Sequence, residues 1–182
     1  MENRMDMEKI DTALTSLING VKNKLAEDNN LCACYESSLT LWRLCDKVDI
    51  PYIGFNINEV GLNNFIHHYG ICSISGVCAL IDLTYNQFID NKYPLYFDKD
   101  RILVNSPINY LREENKYNLL TKGYMILTEE NYIDYITSFI NSYKSVKNID
   151  DSIIYAKAYK LLEDFNIKFV EKEYLNNKKI TY

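Results

Sequence analysis

The stretch FIHHYGICSISGVCALIDL, residues 65–83, decides the fold because it has the pattern of two strands joined by a tight turn. Apolar and β-branched residues dominate 65–73 and 77–83, and the intervening 74–76, Ile-Ser-Gly, is the expected turn. Two strands connected this closely pair antiparallel. We therefore predict a β-hairpin that carries two histidines on its first strand and Asp82 at the end of its second.

Segments with helical periodicity lie on both sides of the predicted hairpin. Helices are predicted over five segments: 5–28, 34–46, 108–121, Thr128 to about 143, and 150–164. Extended segments are expected at three further places: 52–55, 102–104 and 124–127. This order predicts an α+β domain rather than a doubly wound parallel sheet, with N-terminal helices packed on a small antiparallel sheet and further helices following it.

The apolar residues of segment 34–46 occupy more than one helical face, which predicts a helix buried within the protein. Trp42 is accordingly expected in the core. Cys45, Cys72 and Cys78 fall within apolar runs, and we expect all three to be buried core residues.

The composition narrows the range of functions. The 182 residues are 47% hydrophobic, which is enough for a single domain spanning 1–182. The net charge is −5 and no basic block is interleaved with aromatic residues, so we expect no binding to nucleic acid. No stretch approaches the roughly 20 apolar residues that cross a membrane, so no membrane association is expected either.

The cysteines indicate a reducing compartment. There are five of them, without the spacing of a secreted disulfide framework, and no secretion signal is visible at the N-terminus. We therefore expect a cytoplasmic protein with free thiols, with signal-independent export as an open alternative.

Cys34 lies at the start of a predicted helix, a position that favours a nucleophilic thiolate. A thiol acyl-transfer site needs a partly ionised cysteine, a base beside it and a third group that orients the base. Cys34 follows a break at Asn29-Asn30 and opens the predicted helix, where the helix dipole and free amide hydrogens stabilise an anion. Its own backbone N–H is a natural oxyanion donor, and Asn29 or Asn30 is the expected source of a second. Cys32, in the preceding loop, is the alternative nucleophile.

The base and the orienting acid are expected on the hairpin. His67 and His68 are the two histidines of the chain, and because strand residues alternate faces, one of them can face the helix. His68 and Asp82 are 14 residues apart (82 − 68), a separation that a hairpin can bring side by side at about 5 Å between Cβ atoms. We expect His68 to be the base, with His67 as the alternative.

These residues resemble a family. The run CYESSL at 34–39 resembles the nucleophile helix of papain-like and transglutaminase-like thiol enzymes. His68-Tyr69 and the run LIDLTYNQF at 80–88 are similar to the histidine and aspartate strands of a bacterial branch that includes papain-fold toxins and glutamine deamidases. The segment 122–131 is similar to one that follows the triad in such domains. The resemblance covers a core of residues 30–140, which leaves 1–28 and 149–182 as helical extensions.

The resemblance implies a papain-like or transglutaminase-like fold with a triad of Cys34, His68 and Asp82. It implies acyl transfer on a protein or peptide amide, without a cofactor, as a protease, a glutamine deamidase or a transglutaminase. Thr84 and Gln87, in the turn after Asp82, are expected to support the site.

Two other interpretations remain open at this stage. The cysteines and histidines offer enough ligands for zinc, but paired two-residue-spaced cysteine knuckles are absent, which disfavours a metal site. The chain could also be a catalytically inactive member of the fold that acts as a protein-binding module. No glycine precedes Cys34, where many thiol enzymes have one, and the two adjacent histidines depart from the single histidine of the family pattern.

Overall fold

The computed structural model describes residues 2–27, 34–56, 67–85, 111–144 and 150–170. Within these ranges the chain forms five helices and four strands: α1 (Glu2–Glu27), α2 (Cys34–Lys47), β1 (Tyr52–Asn56), β2 (His68–Ile74), β3 (Val77–Ile81), α3 (Glu113–Thr121), β4 (Tyr124–Ile126), α4 (Glu129–Lys144) and α5 (Asp151–Asp164). The strands form one antiparallel sheet in the order β1-β2-β3-β4, so the predicted α+β class is confirmed. The extended segment predicted at 102–104 lies outside the described residues.

The predicted hairpin is present, and its turn has two residues. Ser75 and Gly76 both have positive φ angles, 51° and 81°, while Ile74 and Val77 on either side are paired across the strands. Two consecutive residues with positive φ match the right-handed twist of the strands they connect, and glycine adopts this conformation without steric cost. The two-residue turn sets the register of the whole hairpin, and this register positions the site described below.

The sheet has a hydrophobic layer on each face. One face packs on helices from the C-terminal half of the chain, and its core includes Tyr69, Ile71 and Leu80 from the sheet. The other face packs on α1 and α2, and its core includes Cys72 and Ala79. Since neighbouring strand residues point to opposite faces, the odd and even positions of β2 belong to different cores.

Helix α2 is buried on one side only, and the expected burial of Trp42 is wrong. The buried positions of this helix are Ser37, Leu41 and Cys45, which are spaced by four residues and so lie on one face. Trp42 is 49% exposed and Tyr35 is 55% exposed. The sheet and α1 cover only one side of the helix, so apolar residues on its other side stay at the surface. Cys45, like Cys72 and Cys78, is buried as predicted.

Helix α4 begins at the predicted cap. The Thr128 hydroxyl accepts a hydrogen bond of 3.0 Å from the backbone N–H of Asn131, which satisfies one of the free donors in the first turn. Glu129 and Glu130 lie in that turn, where the helix dipole favours negative charge. The cap fixes where α4 starts and therefore which of its side chains reach the sheet.

The described helices include none that is both long and apolar enough to cross a membrane.

Candidate active site

Cys34 is the first residue of α2 and is half-buried. Burial alone would raise the pKa of its thiol, but a hydrogen bond to the His67 side chain, the positive charge of that imidazole and a backbone hydrogen bond from His68 outweigh burial and lower the pKa. The first-turn amides of α2 add further positive potential at the same end of the helix. The sulfur is therefore in surroundings that favour the thiolate.

His67 lies immediately before β2 and is fully buried. Its Nε2 atom is 2.7 Å from Oδ2 of Asp82, and its ring stacks on Phe139 with centroids 5.5 Å apart. Burial alone would lower the pKa of the imidazole, but the negative charges of Asp82 and Cys34 and the hydrogen bonds to both raise it to about 9. Because Nε2 is bonded to Asp82, Nδ1 is the ring nitrogen left to share a proton with Cys34.

The histidine that joins Cys34 to Asp82 is therefore His67, and the expected pairing of His68 with Asp82 is not the one found. The register pairs Gly70 with Ile81, and one further step places Tyr69 opposite Asp82. Asp82 consequently shares a face with Tyr69 and His67. His68 points to the other face, where its ring meets that of Tyr35 at a centroid distance of 5.3 Å.

Asp82 directly follows β3 and is 1% exposed. Its Oδ2 atom accepts hydrogen bonds from His67 Nε2 and from the Tyr135 hydroxyl, each 2.7 Å long, and its Oδ1 atom accepts one of 3.3 Å from the backbone N–H of Thr84. The backbone N–H of Asp82 donates to the carbonyl of Gly123 at 3.0 Å. The carboxylate is thus held from three sides, and the turn residue Thr84 contributes through its backbone.

Two residues of α4 that were not predicted from the sequence, Tyr135 and Phe139, complete these surroundings. They are four residues apart and so lie on the same face of the helix. Burial, together with the negative charge of Asp82, raises the pKa of the Tyr135 phenol well above its ordinary value, so this group remains a hydrogen-bond donor. The helical spacing of two buried aromatics could have predicted that they face the core, but not that they face His67.

A small cavity of mixed lining, with Leu41, Ile81 and Leu83 among its apolar walls, lies between α2 and the sheet. Its lining includes Ser37, Ser38, Tyr52, His68 and Gly70, and it has room for about one water molecule. The hydroxyls of Ser38 and Tyr52 are 2.6 Å apart. Ser37 Oγ is buried and has no hydrogen-bond partner among the parts of the chain that the structure describes. The side of α2 that faces the sheet therefore carries serine hydroxyls among its apolar residues.

The remaining predicted site residues have no described position. Asn29, Asn30, Cys32 and Gln87 lie outside the described residues, so their suggested roles stay predictions. Within the described ranges, no cluster of three or more histidine, cysteine, aspartate or glutamate side chains has the arrangement of a metal site.

Comparisons with protein-family models, with curated proteins and with solved structures find no match to this chain.

Proposed function

We propose that this protein is a thiol hydrolase or acyltransferase that acts on protein amides through Cys34, His67 and Asp82. The observation that carries the proposal is the continuous hydrogen-bonded series from the sulfur to the imidazole and from the imidazole to the buried carboxylate. It supplies the three parts that thiol acyl transfer requires: an activated nucleophile, a base and a group that orients the base.

The resting site favours a thiolate paired with an imidazolium, because the pKa of Cys34 is lowered and that of His67 is raised. In the first half of the reaction the sulfur attacks the amide carbonyl carbon and forms a C–S bond. The tetrahedral intermediate then breaks its C–N bond, and the leaving amine or ammonia takes the proton from His67. A thioester on Cys34 and a neutral imidazole remain.

In the second half, neutral His67 accepts a proton from a water molecule as its oxygen attacks the thioester carbonyl. The C–S bond breaks, the carboxylic acid is released, and the thiolate and imidazolium are restored. Asp82 keeps Nε2 in the protonated form throughout, so that Nδ1 does the proton transfer. If an amine replaces water, the same steps complete a transamidation.

The negatively charged oxygen of the tetrahedral intermediate needs hydrogen-bond donors to stabilise it. The backbone N–H of Cys34 is one natural donor, because the first amides of a helix have no partners within that helix. Asn29 and Asn30 remain the predicted source of a second donor.

We further propose that the domain is papain-like or transglutaminase-like. Support comes from the chain order of the site: a cysteine at the start of a helix, then a histidine at the start of one strand, then an aspartate at the end of the next. The helix packs on the antiparallel sheet, and the other two residues flank its strands β2 and β3. This likeness concerns the fold, whereas the chemistry depends on the geometry of Cys34, His67 and Asp82.

An activated ester tests the proposal without a known substrate. We would incubate the protein with p-nitrophenyl acetate, follow nitrophenol release, and identify the acetylated residue by mass spectrometry. We expect an acetyl group on Cys34 that forms and is then lost, with sustained release of nitrophenol. Adding methylamine and quantifying N-methylacetamide would show how the thioester divides between amine and water.

His67→Gln and His68→Gln form a matched pair for this assay. We expect the first to slow acetylation and to trap the acetyl group on the protein, and the second to retain turnover. Absence of acetylation at Cys34, or equal turnover in His67→Gln, would contradict the proposed enzyme and favour a protein-binding module.

A further inference from the structure

The Asp82 carboxylate has an uneven set of partners. Its Oδ2 atom accepts two hydrogen bonds of 2.7 Å, one from His67 and one from Tyr135, whereas Oδ1 accepts the longer bond from Thr84. Two strong donors therefore converge on the one oxygen that faces the imidazole. The Tyr135 hydroxyl therefore shares with His67 the oxygen on which the hold on the imidazole depends.

The phenol and the imidazolium compete for the same negative charge. When His67 is protonated, its own positive charge compensates Asp82, and the Tyr135 hydroxyl adds relatively little. When His67 is neutral, the buried carboxylate has no cationic neighbour, and the hydroxyl becomes a major source of its stabilisation. The phenol therefore stabilises the neutral-imidazole state more than the imidazolium state.

Two other groups around the imidazole, Cys34 and Phe139, do not supply this effect. Cys34 approaches from α2 and, as a thiolate, favours the imidazolium. Phe139 of α4 stacks on the ring and is uncharged. Tyr69 and Tyr85 are buried tyrosines whose rings lie 5.0 and 6.0 Å from that of Tyr135.

We propose that Tyr135 is a positioning residue whose hydroxyl, by sharing Asp82 Oδ2 with His67, limits how strongly the carboxylate holds the imidazolium. The consequence rests on the proposed function. Acyl transfer requires His67 to release its proton to the leaving amine and then to accept one from water. A carboxylate without the phenol would hold the proton more tightly and leave less neutral imidazole for the second half of the reaction.

Histidine titration by NMR tests the proposal directly, because the chain contains two histidines and His68 serves as an internal reference. We would compare full-length wild-type protein with Tyr135→Phe and with Tyr132→Phe. Tyr132 is a matched control: it is buried on the same helix, one turn earlier, and its hydroxyl lies 3.3 Å from that of Tyr69.

We expect Tyr135→Phe to raise the titration midpoint of His67 by about one pH unit, as loss of a charge-assisted hydrogen bond to a buried carboxylate implies. We expect the midpoint of His68 to stay unchanged, and Tyr132→Phe to leave both midpoints in place. A His67 midpoint that is unchanged or lower in Tyr135→Phe, or that rises equally in Tyr132→Phe, would overturn the proposal.

Site-specific incorporation of 3-fluorotyrosine at position 135 gives a second measurement that preserves the packing. The fluorinated phenol is a stronger donor, so the His67 midpoint should fall, and an unchanged midpoint would count against the proposal even if Tyr135→Phe does not fold. These titrations are independent of turnover. Failure of the wild-type protein to hydrolyse p-nitrophenyl acetate would remove the proposed function, whereas unaltered titrations would remove only the role of Tyr135.

Discussion

His67 and Asp82 meet diagonally across the hairpin, with 2.7 Å between Nε2 and Oδ2, although neither residue belongs to a paired position of the two strands. His67 lies just before β2 and Asp82 just after β3. The pair therefore occupies the end of the hairpin opposite the turn, where backbone pairing stops and side chains can reach the helices on either side. The N-terminus of α2 brings Cys34 to that end, and α4 brings Tyr135.

The thiols should differ in reactivity. Cys34 has a lowered pKa, whereas burial raises the pKa of Cys45 to about 11 and also raises the pKa values of Cys72 and Cys78. We expect iodoacetamide at neutral pH to alkylate Cys34 at least about tenfold faster than these three residues, because the thiolate is the reactive form. Peptide mapping by mass spectrometry measures each rate. Similar slow rates at all four positions would show that Cys34 is not activated.

The activation of the Cys34 thiol should depend on His67 and not on its neighbour His68. His67→Gln removes the cationic partner of the sulfur, so the pH at half-maximal alkylation should rise by about one unit or more. His68→Gln keeps the backbone N–H that contacts the sulfur and should shift this midpoint little. Alkylation rates measured from pH 5 to pH 10 make the comparison. A shift confined to His68→Gln would reverse the assignment.

The pH dependence of the free energy of unfolding should reveal the paired charges of Cys34 and His67. His67 has a raised pKa, so its contribution to stability is complete below about pH 6.5, the unfolded value, and is lost as the pH rises through about 9. Cys34 has a lowered pKa, so its contribution is complete above the unfolded thiol value and is lost as the pH falls through the folded one. In the pH range between the folded and unfolded pKa values of Cys34, the two slopes have opposite signs and partly offset each other.

Cys34→Ser should remove the opposing slope of the thiol and leave the part of the histidine contribution that Asp82 provides. We expect its free energy of unfolding, measured with urea, to decrease by about 1 kcal/mol per pH unit above about pH 6.5, while the decrease in wild-type protein is smaller. The double variant Cys34→Ser/His67→Gln should lose this slope. Equal slopes in wild-type protein and Cys34→Ser would mean that the thiolate and imidazolium are not paired at rest.

Gly70 should tolerate no side chain. A Cβ atom at this position would lie 2.2 Å from the ring of Tyr52, which borders the small cavity beside α2. We expect Gly70→Ala to displace Tyr52, to break its hydrogen bond with Ser38, and to lower the free energy of unfolding by about 1–3 kcal/mol. Gly54 is the control: it pairs with Gly70 across the strands, yet a Cβ there would be 3.4 Å from its nearest neighbour. Chemical denaturation compares the two variants, and equal losses would contradict this account.

Much of the fold could be predicted from local patterns in the sequence. Helical periodicity predicted a helix over 34–46, which the structure has as α2 (Cys34–Lys47), and the glycine-containing turn predicted the hairpin. Both signals depend on residues close together in the chain. The same local reasoning placed Cys34 at a helix N-terminus and Asp82 at a strand end. It overestimated the burial of Trp42, since the apolar faces of a helix do not show which of them another element covers.

Only the tertiary structure decided which side chains meet. A turn of two residues, Ser75 and Gly76, puts Asp82 on the face of His67, and a register shifted by one residue would have selected His68. Tyr135 lies 53 residues beyond Asp82, and no pattern within α4 indicates that its hydroxyl reaches that carboxylate. The physical reason is that periodicity determines which residues share a face, whereas pairing register and helix packing determine what that face contacts.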